Sequence, residues 1–100
     1  MDAITLSQNG VSVRLSDERW QHIVIRHADL DGKQSEVLAA ISDPARILAC
    51  DGGELLTLRQ LEVEKWLFVA YRELVDDGFI ITAYPTRRLN SLNWRQQLWP

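Results

Sequence analysis

The sequence predicts an α+β fold in which a short β-hairpin and two N-terminal helices precede a four-stranded antiparallel sheet. Three observations carry that expectation. Apolar residues recur at helical spacing through two segments of the first half, about 16–28 and 33–41. Beyond Pro44 the pattern changes to four β-rich runs joined by short turns, at 46–50, 55–61, 66–71 and 79–84. The 100 residues, 46% hydrophobic and 25% charged, suffice for one core and one domain over 1–100.

The hairpin comes first. Ile4-Thr5-Leu6 and Val11 to Leu15 alternate apolar and polar residues around the turn signal Asn9-Gly10. Ser16 then reads as a helix N-cap, with Asp17 and Glu18 in the first turn, where negative charge favours the helix dipole. At about 100° per residue, Trp20, Ile23, Val24 and His27 fall in one stripe. Asp31-Gly32 interrupts the pattern, and a second helix presents Val37, Leu38 and Ile41 on one side until Ser42-Asp43-Pro44 ends it. The third and fourth β runs are almost continuously apolar or aromatic, which predicts central strands, and Pro85 is expected to break the last of them. The tail carries Trp94 and Trp99 and reads as a strand, a turn or a docking segment through which copies of the chain could associate.

Charge narrows the function classes. Fourteen acidic against eleven basic residues give a net −3, which excludes a broad polyanion clamp. The imbalance is uneven, however. All fourteen acids lie in residues 1–78, whereas the final segment holds Arg87, Arg88 and Arg95 and no acid. Arginine is the residue type suited to gripping one phosphate, so a small local anion site is compatible with the composition. Cys50 is the only cysteine, which removes an internal disulfide and a cysteine-based zinc site and points to a reducing cytoplasm. The start of the chain lacks the features of a signal peptide, and no apolar run approaches the roughly 18 residues of a membrane span, so no membrane partner is expected.

Two constellations can carry chemistry. On the first helix, Arg19, His22 and Arg26 share one flank at spacings of three and four, while His27 falls among Trp20 and Ile23 and points towards the sheet. The two histidines are five apart, roughly 140° around a helix, whereas one-face chelation needs a spacing of four. No metal and no cofactor is therefore expected. In the last strand, alternation sends Thr82, Tyr84 and Thr86 to one face and Ile81 and Ala83 to the other, ahead of Arg87-Arg88. Hydroxyls in a row that end in two guanidiniums suit an oxyanion. Each set also has a plain reading: a core histidine with one hydrogen bond, and good strand formers beside a solvated strand end.

The stretch Leu15-Ser16-Asp17-Glu18-Arg19-Trp20-Gln21-His22-Ile23, with Arg26-His27, resembles the opening helix of phage-associated nucleases of the Barnase–EndoU–Colicin–RelE-like (BECR) fold. Lys65 to Val69, Asp77 to Tyr84 and Thr86-Arg87-Arg88 resemble the second half of the same group, so the likeness spans about residues 15–94. Ala28 follows the Arg-His pair where members often carry proline, which leaves the helix end less sharply marked. The resemblance implies a metal-independent RNA endonuclease, of the kind found as the toxin of a toxin–antitoxin or phage-related system and held by a neutralising protein. It implies His27 as general base or acid and His22 as a second proton carrier. Arg26 and Arg87 would hold the scissile phosphate, Thr82, Tyr84 or Thr86 would orient it, and Arg19 and Arg88 would contribute to substrate binding. The alternative is the same fold kept as a catalytically inactive interaction module.

Overall fold

The computed structural model describes residues 2–88 and 95–100. Among them the strands are β1 (Ala3–Leu6), β2 (Ser12–Leu15), β3 (Arg46–Ala49), β4 (Leu55–Glu62), β5 (Lys65–Glu73), β6 (Asp77–Thr86) and β7 (Gln97–Trp99). Two helices, α1 (Asp17–Arg26) and α2 (Gln34–Ser42), and a 3₁₀ turn over Ala28–Leu30 lie between β2 and β3. All seven strands join one mixed sheet in the order β1-β2-β6-β5-β4-β3-β7.

This corrects the expected four-stranded antiparallel sheet. The four runs after Pro44 do become neighbouring antiparallel strands, but three more strands extend the sheet on both sides. The N-terminal hairpin docks through β2, which runs parallel to β6 from Ser12↔Asp77 to Arg14↔Phe79. At the other edge β7 pairs antiparallel with β3, with Trp99 opposite Ile47. Trp94, expected in the same tail, lies outside the described residues. Periodicity shows which residues form strands and which of their sides is apolar. The edge on which a strand docks depends on pairing across the whole chain, and that leaves no local trace. The buried Val13 and Leu15 show what drives the docking: their side chains gain cover only by extending the sheet beneath the helices.

The two faces of the sheet are packed differently. On one, Ile23 of α1, Leu30 of the 3₁₀ turn and Val37, Ala40 and Ile41 of α2 cover Leu67, Val69 and Tyr71 of β5 and Ile80 and Ala83 of β6. On the other, Leu48, Leu56, Leu58 and Phe68 form a second cluster, flanked by Cys50, Trp66, Ala70 and Tyr84. Near Ala70 and Tyr71 the register of β6 shifts by one residue, at Ile81. Such a bulge re-aims the strand beyond it. Pro85 does not break β6, contrary to expectation: it pairs opposite Leu67, inside the strand. The strand pairing of β2 ends at Phe79, so among the described residues no strand pairs with the outer side of β6 beyond that point, where a residue without an N–H is tolerated.

Tyr71 gives a test of the larger core. Its side chain is fully buried, and its hydroxyl meets no hydrogen-bond partner among the described residues. Burial, with the Glu73 charge adding to it, holds the phenol far above its ordinary pKa. A buried hydroxyl without a partner forfeits its hydration for nothing in return. Tyr71→Phe is therefore expected to raise stability by about 1 kcal/mol, read as a higher midpoint in urea unfolding with an unchanged slope. A lower midpoint would show that the hydroxyl is held, for instance by a buried water.

Candidate functional site

The candidate site lies where the end of α1 meets the second half of β6. The start of α1 is built as its sequence dictates. The Ser16 side chain accepts the Arg19 N–H at 3.1 Å, Asp17 and Glu18 occupy the first turn, and Arg26 occupies the last. The helix ends one residue short of His27, which has left helical geometry at φ −135°, ψ 77° and caps the helix by donating its N–H to the Ile23 carbonyl at 2.8 Å. Burial of Ile23 and packing of Trp20 against the main core seat α1 beside β6.

His27 is half-buried, and its ring lies 6.2 Å from that of Tyr84, tilted by 37°. Tyr84 in turn meets Phe68 edge-on at 5.3 Å. The partners of Thr82, Tyr84 and Thr86 across β5 are Ala70, Phe68 and Trp66, so the three side chains share the face of the second cluster. The Thr86 hydroxyl accepts the Arg88 N–H at 3.0 Å, and Arg87 donates to the Glu64 carbonyl at 3.4 Å. Both arginines are exposed, as is Arg26. The structure thus brings His27 together with Tyr84, and places Arg26 next to one and Thr86-Arg87-Arg88 just after the other.

Arg19 and His22 are not part of that junction. Both are exposed and line an open hollow along the outer side of α1 with Ser16, Glu18, Gln21 and Ile25. Arg19 precedes His27 by eight residues, roughly 12 Å along a helix axis. It also borders a smaller hollow with Arg14 and Phe79 to Ile81, at the opposite end of α1 from His27.

Electrostatics assign the phenol of Tyr84 a definite state. Burial raises its pKa, the Arg95 guanidinium opposes that shift, and the Cys50 thiol adds to it. Cys50 is likewise pushed up by burial, against Arg95 and with Glu54 and Asp51. At neutral pH Tyr84 is therefore an un-ionised donor whose hydroxyl lies within electrostatic reach of Arg95 and Cys50, while its ring meets His27. Among the described residues no three of His, Cys, Asp and Glu lie together as a metal-holding group.

Two residues at the junction were not marked as site residues by the sequence. The carboxylate of Asp29, two residues after His27, lies 3.1 Å from the Lys65 ammonium. Lys65 opens β5, and the next pair along that ladder is Trp66↔Thr86. Only the closeness of Asp29 to His27 in the chain could have drawn attention to it, and Lys65 is 38 positions further on than His27.

Compared with protein-family models, with curated proteins and with solved structures, the chain matches none.

Proposed function

We propose that this protein is a metal-independent RNA endonuclease whose centre is His27, with Arg26 and Arg87 as phosphate ligands. The observation that carries the reading is the meeting of His27 with Tyr84 at the strand end that leads into Thr86-Arg87-Arg88. Cleavage of RNA without metal needs a proton carrier and cations at one point. The 2′-oxygen attacks phosphorus and loses its proton to the imidazole as the P–O5′ bond breaks. The same proton returns to the departing 5′-oxygen, leaving a 2′,3′-cyclic phosphate. Guanidiniums stabilise the extra negative charge on the phosphoryl oxygens, and un-ionised Thr and Tyr hydroxyls donate to them.

The resemblance set out above supports the same reading and adds a toxin-like role, with a protein that neutralises it. A cytoplasmic location belongs to this proposal; the structure contributes only that none of the described helices is long and apolar enough to cross a membrane. Purified full-length protein incubated with single-stranded RNA and excess chelator should yield fragments ending in 2′,3′-cyclic phosphate. Intact RNA across varied sequences and structured substrates would overturn the reading.

One observation favours a second reading, a non-catalytic interaction module. Ile4, Leu6 and Phe79 are exposed on a single sheet face, where Arg14 pairs with both Ile4 and Phe79. Exposed apolar side chains grouped on one face, here on either side of the exposed Arg14, mark a protein contact. A protein partner belongs to the first reading as well, so the two readings are separated by RNA cleavage and not by partner binding.

A further inference from the structure

The chain just after His27 is held in an unusual way. Outside helical geometry, the direction of the His27 ring is not fixed by the helix. The residues that follow form a single 3₁₀ turn, with Leu30 N–H donating to the His27 carbonyl at 2.9 Å and Asp31 N–H to the Ala28 carbonyl at 3.1 Å. A three-residue turn of this type does not sustain itself. Two side chains anchor it. Leu30 is buried in the main core, and Asp29 reaches Lys65 at the start of β5.

Lys65 is set into the surface, with 18% of its side chain exposed, whereas 48% of the Asp29 side chain is exposed. The hydrogen bond from Lys65 is the main reason the Asp29 carboxyl stays below its ordinary range; burial opposes it, and the Lys65 and His27 charges lower it further. His27 and Lys65 are thus both within electrostatic reach of one carboxylate. The ion pair also ties the chain after His27 to β5, the strand that holds β6 and therefore Tyr84 in register.

We infer that Asp29 and Lys65 are positioning residues for His27, their ion pair keeping the imidazole against Tyr84. The catalytic consequence rests on the nuclease reading above; the placement of the ring does not. Neither residue belongs to the buried apolar clusters, and neither is assigned a role on the reacting atoms, so loss of the pair should move the ring without unfolding the domain.

The experiment uses full-length protein labelled for NMR and reads the inter-ring NOE between His27 and Tyr84. Asp29→Asn and Lys65→Met should each lose more than half of the NOE intensity, with thermal midpoints close to wild type. Lys65→Arg should retain it, and the charge reversal Asp29→Lys with Lys65→Asp should restore most of it. In RNA cleavage the two single neutral variants should lower kcat by about 10- to 100-fold, as displacement of a reacting group does, with little change in KM. An undiminished NOE in both neutral variants overturns the inference, whatever the activity. Loss of the NOE in a protein that cleaves no RNA supports the inference and removes the nuclease reading. Should Lys65→Met not fold, Asp29→Asn against the charge reversal decides the matter alone.

Discussion

His27→Ala is expected to lower metal-free RNA cleavage by about 10²- to 10⁴-fold, the contribution of one positioned proton carrier. The fold should survive, because His27 caps α1 through its backbone N–H, which alanine retains, and its half-buried ring is in ring-to-ring contact with Tyr84 alone among the described residues. His27→Gln separates two roles. Glutamine fills much of the same space against Tyr84 but transfers no proton at neutral pH, so it should be as inactive as alanine. A glutamine variant near wild-type rate would make His27 a packing residue. Cleavage rates under chelator, beside thermal unfolding of the same preparations, decide between these outcomes. Growth of a bacterial host offers a coarser check: wild-type expression should arrest it, and His27→Ala should release it. Equal inertness of wild type and His27→Ala, with both folded, removes the nuclease reading. The apolar group at Ile4, Leu6 and Phe79 then becomes the feature to pursue.

The parts of this molecule written in local pattern were legible beforehand. Ser16 caps its helix, Ile23, Val37 and Ile41 are buried, and the runs after Pro44 are strands, because each depends on residues a few positions apart. The common face of Thr82, Tyr84 and Thr86 follows from strand alternation in the same way. What escaped the sequence depends on distant segments. The parallel contact of β2 with β6 joins residues more than sixty positions apart, and neither strand carries a mark for the other. The fate of Pro85 follows from it, since a proline breaks a strand paired on both sides but not one whose outer side has been left open. The site divides along the same line. His27 and the Thr82–Arg88 stretch could be picked out as residue types suited to one chemistry. Their meeting, and the ion pair from Asp29 to Lys65, arise only when α1 settles beside β6.

Gly78→Ala is expected to destabilise the protein by about 1–3 kcal/mol, the cost of forcing volume into a packed site. In the sequence Asp76-Asp77-Gly78 looks like a turn, yet Gly78 lies inside β6 with Val13 on one side and Glu73 on the other. Its φ is not in the left-handed region, so no backbone preference for glycine is involved. The constraint is space. A Cβ there would run into the Arg72 carbonyl oxygen and press on the Glu73 backbone at 3.4 Å. Those atoms belong to the β5 ladder, so they yield only if Arg72↔Phe79 and Glu73↔Gly78 come apart. For a domain of this size the thermal midpoint should fall by roughly 4–8 °C per kcal/mol. Gly10→Ala is the contrast: φ is +78° with nothing within 4 Å of the added carbon, so it should cost only the roughly 1 kcal/mol of a left-handed alanine. The larger effect reaches the site as well, since parting β6 from β5 moves Tyr84 relative to His27. Gly78→Ala should therefore lose cleavage at temperatures below its own melting point, whereas Gly10→Ala should not. A Gly78→Ala protein that melts with wild type would mean that β2, β6 and β5 do not meet at this residue, and the docking of the N-terminal hairpin would fall with it.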